Sequence, residues 1–242
     1  MKTLTIEDTL GQILVKYPSL ARVLEEEGVD YCCGGGKSLK RACEDLGKSS
    51  AELLDKLKAF VANENSVSVG NPAEMTLTEL ADHIERSHHV FLRTELPRLD
   101  AITAKVASVH GQNDPRLNAV RNHFVGLSEE LMSHMIKEEE VLFPLIRELE
   151  QSGSNSSAHC GSIANPIRQM ESEHKDAGSA LSAICEFTDD YTPPRWACNT
   201  YRVMLDGFAT LERDLHWHIH KENNILFPRA IKLENSLNHH IE

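Results

Sequence analysis

HMIKEEEVLFP, residues 134–144, returns as HIHKENNILFP at residues 218–228, an offset of 84 residues. The correspondence runs upstream as well, with Val120, Phe124, Leu127 and Leu131 matching Met204, Phe208, Leu211 and Leu215. Steps of three and four keep these positions, His134, Glu138 and Leu142 in one copy and His218, Glu222 and Leu226 in the other, on a single helix face. A polar pair therefore interrupts each core stripe, and burying it costs several kcal/mol unless something satisfies it. At i, i+4 an imidazole and a carboxylate lie one turn apart, within reach of one metal site. A lone pair of this kind reads as readily as a buried His–Glu hydrogen bond. At roughly one in twenty per specified position, however, chance recurrence of the motif is on the order of one in ten thousand.

Working outward, the chain shows helical periodicity over about 76–110, 115–150, 162–189 and 194–235, broken by HGQNDP, QSGSNSSAHCG and DDYTPP. Strand signals are nearly absent, so the expected fold is all-α, with these stretches forming an up-down-up-down four-helix bundle. Residues 1–62 carry short helical patterns interrupted by Gly28 and by Cys-Cys-Gly-Gly-Gly at 32–36, which predicts a small helical domain. The polar, aperiodic stretch 63–74 reads as a linker, with the bundle from 76 to 235 as a unit that folds and binds metal by itself.

Thirteen histidines exceed the five or six that average usage gives at about this length. Candidates for further inward ligands are His83, His88, His89 and His110 on the first long helix and His174 on the third. The intervals His89 to His134 and His174 to His218 are 45 and 44 residues, which sets the two helix pairs in matching register and favours a pseudo-twofold site of four histidines and two glutamates. The apolar stripe Leu77, Leu80, Ile84, Phe91, Leu92 and Leu99 points instead toward His88. His216 and His220 lie about 200° around the helix from His218 and are expected at the surface, as are His123, His159, His239 and His240. Glu139 and Glu140 leave the ligand face by roughly 100° and 200° and are expected to take no part. Imidazole and carboxylate without thiolate suit non-haem iron or manganese. Six side chains exceed the need of one tetrahedral zinc, which favours two metals bridged by two carboxylates. A histidine-rich set leaves such a site positive and suited to a small ligand such as O₂, NO or azide.

The formal charge of −12, of which residues 1–62 carry about −1, disfavours nucleic acid or an anionic membrane as a partner. No apolar run approaches the ~18 residues of a membrane span, and the first residues lack a signal-peptide pattern, so a cytoplasmic location is expected. Six irregularly spaced cysteines fit a reducing compartment better than a disulfide scaffold. Adjacent Cys32 and Cys33, ahead of three glycines, read as two thiols on an exposed loop, with Lys37, Lys40 and Arg41 favouring thiolate. Gly36-Lys37-Ser38 is not a phosphate loop, because Tyr31 stands where the first glycine is required.

Residues 76–235 resemble a hemerythrin-like domain, and DYCCGGGKSLKRAC at 30–43 resembles the short ScdA_N-type domain joined to it in the RIC family (repair of iron centres; YtfE/ScdA/NorA/DnrN-like). The resemblance implies a cytoplasmic non-haem di-iron protein, induced by nitric oxide or oxidative stress and linked to repair of iron–sulfur clusters, with some members binding or reducing NO. Carried over position by position, the terminal ligands fall on His89, His134, His174 and His218 and the bridging carboxylates on Glu138 and Glu222. Alignment on Leu96-Pro97 selects His89 over His88. Cys32 and Cys33 then serve thiol or iron exchange. The implied partners are damaged iron–sulfur proteins and NO or O₂, with no nucleic acid and no membrane, and a homodimer is compatible with this reading. The alternatives are an NO or O₂ buffer or sensor without turnover, and a metal-free bundle.

Overall fold

Thr9 and Gln12 start the first helix by exchanging bonds, each side chain accepting from the other's backbone N–H at 3.3 Å. Thr76 and Glu79 repeat the device at the start of the first long helix. The computed structural model describes residues 4–63, 71–152 and 161–238. Its helices are α1 Leu10–Lys16, α2 Ala21–Glu26, α3 Leu39–Asp45, α4 Ser50–Asn63, α5 Leu77–Ile84, α6 Val90–His110, α7 Arg116–Lys137, α8 Phe143–Ser152, α9 Ala164–Phe187, α10 Asn199–Lys221 and α11 Phe227–Asn238. The described residues hold no strand beyond one isolated bridge, Thr9 to Ser38, so the fold is all-α as expected. None of their helices is long and apolar enough to cross a membrane.

Three of the four expected long helices are not continuous α-helix. One π turn joins each of α5 to α6 (Glu85–His89), α7 to α8 (Glu138–Leu142) and α10 to α11 (Glu222–Leu226). A π turn holds one residue more than an α turn and shifts the faces on either side of it. The repeated prolines show why two of the three form. Pro144 and Pro228 have no N–H to give to the carbonyls of residues 140 and 224, and their rings crowd those carbonyls, so a widened turn is the accommodating geometry.

Contacts sort the chain into two compact units, residues 1–80 with 216–242, and residues 81–215. In the first, Leu10, Ile13, Leu14, Leu20, Leu24, Leu39, Leu53 and Leu57 form one core with Ile219 from the end of α10. In the second, α6, α7, α9 and the Asn199–Leu215 part of α10 share a core that includes Leu92, Leu99, Leu127, Leu181 and Leu211. Phe124 and Phe208, equivalent positions of the repeat, meet there with ring centroids 5.6 Å apart. Self-contact of equivalent residues is what a pseudo-twofold axis produces.

Of the linker 63–74, residues 64–70 lie outside the described residues, and Pro72–Glu74 forms a 3₁₀ turn capped by Asn71. His159, Cys160, His239 and His240 also lie outside them.

Candidate metal centre

In the second unit, α7 ends on His134 and Lys137 and the following π turn opens with Glu138, while His89 closes the π turn ahead of α6. His89 and Glu138 are fully buried. The two oxygens of Glu138 face different imidazoles: Oε2 lies 3.3 Å from His89 Nε2, and Oε1 lies 3.3 Å from His134 Nε2. His174, from the middle of α9, brings its Nε2 to 3.1 Å from that of His134. Two imidazole lone pairs at that separation repel unless a proton or a cation lies beside them. In the first unit His218 Nε2 sits 3.0 Å from Glu222 Oε1, with both side chains buried.

The far side of the imidazoles gives the donor set its direction. His89 Nδ1 meets Glu139 Oε1 at 2.7 Å, and His134 Nδ1 meets Glu173 Oε2 at 2.9 Å. A carboxylate on Nδ1 holds the proton there and leaves the Nε2 lone pair free for a metal. Both carboxylates are kept ionised. Burial pushes Glu139 up, but Arg93, at 2.8 and 2.7 Å, and His89 outweigh it and leave the carboxyl below its usual range. Burial acts likewise on Glu173, where Lys137, Gln169 and His134 hold the carboxyl at about 2. Buried imidazole nitrogens converging on a carboxylate, each backed by a second carboxylate, fit a cation of borderline hardness such as iron.

The expectation that Glu139 stands apart from the ligands is therefore corrected. It assumed an uninterrupted α-helix, whereas Glu139 lies within the π turn and reaches His89. Glu140 is exposed, as expected. Removing a carboxylate from the outer nitrogen of a ligand typically costs ~10–100-fold in metal affinity. Glu139→Gln and Glu173→Gln should each weaken iron binding on that scale, measured by competition with a chelator, while the helical circular dichroism is preserved; iron affinity equal to wild type in both would show that these bonds do not orient ligands.

His88, the choice of the apolar stripe, is also buried, but its Nδ1 pairs with Asp214 at 2.9 Å. His110 places Nε2 3.3 Å from Cys198 Sγ. His123 is exposed, as expected. The surface assignment fails for His220, which is 1% exposed, and for His216, which is half-buried 5.9 Å from the Tyr31 ring. The cause is a second core on the outer side of the helix end, where Tyr31 and Trp217 stand edge-on to His220 at 5.8 and 5.6 Å. Burial, with a smaller contribution from Lys221, pushes the His220 imidazole down to about 4, so it is neutral.

That core carries the Cys-Cys-Gly loop. Asn224, in the π turn that opens with Glu222, donates from Nδ2 to the carbonyls of Tyr31 and Cys32 at 3.3 and 3.2 Å. Its amide fills the space beside Gly11 and Gly35, where a Cβ would stand 2.7 and 2.0 Å from Asn224 Oδ1; any side chain at Gly35 would drive the asparagine out. The loop differs from the exposed, thiolate-favouring one expected. Cys32 is 6% exposed, and its thiol is pushed well up by the bond with Cys33, by burial and by Asp30. Two of the three cations expected to offset this are engaged elsewhere, Lys37 with Asp45 and Arg41 with Glu44 and Asp45.

Bundle and buried donor set together define a hemerythrin-type, non-haem di-iron protein: residues 80–230 match the family model of the hemerythrin HHE cation binding domain, and residues 6–61 match ScdA_N, a domain of unknown function (DUF542). The chain is 36% identical over 230 residues to the iron–sulfur cluster repair protein YtfE of Enterobacter sp. (strain 638), and 34% identical over 226 residues to that of Yersinia pseudotuberculosis serotype IB (strain PB1/+). Each alignment covers 93% of this chain and 97% of the relative. The chain belongs to this YtfE family.

Proposed function

We propose that the chain repairs iron–sulfur clusters damaged by nitrosative or oxidative stress, in the cytoplasm, from a di-iron centre held by His89, His134, His174 and His218 as terminal ligands and Glu138 and Glu222 as bridges. The observation that carries the ligand set is Glu138, whose two oxygens each face a different imidazole, with those imidazoles turned inward by Glu139 and Glu173. The 84-residue repeat extends the same role to His218 and Glu222. Held by these residues, an iron pair would supply labile iron and a place for NO or O₂ to bind. The protein's own groups fix the imidazole tautomers and hold the bridging carboxylates in a dry, buried setting. Cys32 and Cys33 exchange thiol or iron with the client, and the relatives' name, iron–sulfur cluster repair protein, supports a damaged iron–sulfur protein as that client.

The test is recovery of an NO-damaged iron–sulfur enzyme by the full chain and by the Cys32→Ser/Cys33→Ser double variant at equal iron loading, with absorption spectra recorded before and after NO or azide. The full chain is expected to restore activity, with the double variant at least ~10-fold slower and its iron spectrum unchanged. Equal rates would remove the cysteines from the mechanism. NO binding by a chain that restores nothing would favour a buffer or sensor.

A further inference from the structure

We propose that Asp30, Cys32 and Cys33 form a second, mononuclear cation site, distinct from the di-iron ligands, that takes one divalent transition-metal ion of borderline softness. This deepens the exchange role given above to the two cysteines and rests on that reading. Three different donor groups converge in a four-residue span: Cys32 Sγ lies 3.9 Å from Cys33 Sγ and 3.2 Å from Asp30 Oδ1, and ligand atoms of all three lie within 4.8 Å of one another. Two sulfurs at that spacing, each at a metal–sulfur length of about 2.3 Å, subtend roughly 115° at a shared ion, close to the tetrahedral angle. A carboxylate oxygen adds the third ligand and leaves a fourth position for a client's ligand, the arrangement of a transfer site in contrast to a closed structural one.

The loop's own hydrogen bonds favour this shape. Asp30 Oδ1 accepts from the backbone N–H groups of Cys32 and Cys33 at 3.1 and 3.0 Å, which folds the chain back so that both thiols stand beside the carboxylate. Asn224 pins the far side through the Cys32 carbonyl. Of the neighbouring cations, Lys37 is directed to Asp45 and Arg41 to Glu44 and Asp45. Binding exchanges two thiol protons, released to solvent, for one divalent ion, with no change of oxidation state. Two sulfurs and one carboxylate oxygen select ferrous iron, zinc or cobalt over magnesium or calcium.

Anaerobic titration of the iron-loaded full chain with Co(II) reads this site separately, because thiolate–cobalt charge transfer has no counterpart in a histidine and carboxylate centre. The expected result is one equivalent of cobalt with a thiolate charge-transfer band, abolished in Cys32→Ser and in Cys33→Ser, with iron content unchanged. Asp30→Asn is the informative variant, since an asparagine carbonyl keeps both loop N–H bonds while removing the charge; it should weaken cobalt binding at least tenfold with the fold intact by circular dichroism. Cobalt binding without the charge-transfer band, binding in Asp30→Asn equal to wild type, or no binding would each overturn the site. Each of those results leaves the repair assay standing on its own. A chain that fails to repair clusters can still show the band, so failure of the site and failure of the proposed function are separate outcomes.

Discussion

Glu138→Ala and Glu222→Ala each lose iron and the visible absorption that goes with it, whereas Glu140→Ala keeps both. Glu138 is fully buried with an imidazole nitrogen 3.3 Å from each of its oxygens, so its removal takes away both contacts at once. Loss of a hydrogen-bond partner behind a ligand already costs ~10–100-fold in affinity, and loss of a bridging ligand should exceed about 100-fold. Glu222 carries the same expectation through the repeat and through its 3.0 Å contact with His218. Glu140 is exposed and bonds to none of these groups. Metal analysis and absorption spectra after anaerobic reconstitution decide the matter. Iron retained at two per chain in Glu138→Ala would remove the bridge assignment, and iron lost from Glu140→Ala would mean that the region responds to any change of charge.

Residues 75–242 on their own should keep their helices and bind both irons, yet be less stable than the full chain by on the order of 3–5 kcal/mol and inactive in repair. The proposed ligands all lie beyond residue 75, which argues for retention of iron. The penalty arises because Ile219 belongs to the core built by Leu10, Leu14, Leu24 and Leu57, with Trp217 packed against it and His220 covered by Tyr31. Stripping that cover exposes at least two large side chains, each worth ~1.5–3 kcal/mol when fully buried. Thermal melts of the iron-loaded fragment and full chain, with iron counted after each preparation, test both halves of this expectation. Melting at the full-chain temperature would mean that residues 1–62 contribute nothing to the end of α10. A fragment unable to hold iron would place the domain boundary elsewhere.

The all-α architecture was legible in the sequence because its four long helices carry their apolar stripes at steps of three and four, and the repeat located His134, Glu138, His218 and Glu222 as polar exceptions within those stripes. Part of what escaped it has one origin. A reading by helical angle assumes one uniform pitch, and the π turns at Glu138 and Glu222 break that pitch beside the polar exceptions. Glu139, placed about 100° away by arithmetic, in fact bonds His89. The repeated Phe-Pro at 143–144 and 227–228 was the available signal, since each proline, six residues past its glutamate, leaves the carbonyl of residue 140 or 224 without its usual donor. Glu173 and Asp214 left no such trace, because their bonds to His134 and His88 join residues 39 and 126 apart in sequence and depend on packing alone. His220 and Cys32 were placed at the surface for a related reason: each is covered by the other's segment, across nearly 200 residues of chain.

The two copies of the repeat agree at His, Lys, Glu, Leu, Phe and Pro, and among the places where they part company Ser133, Ile136, Glu139 and Glu140 stand opposite Trp217, His220, Asn223 and Asn224. Trp217, His220 and Asn224 face the cysteine loop, and Asn223 also reaches the Cys32 carbonyl, at 3.5 Å. The divergence thus equips the second copy to hold the cysteine loop, with residues that the first copy does not carry at those positions. Glu222 and Asn224 sit on the same five-residue turn, two residues apart, and Asn224 ties that turn to the Cys32 carbonyl. Gly11 and Gly35 leave no slack there, because the asparagine already fills the room beside them.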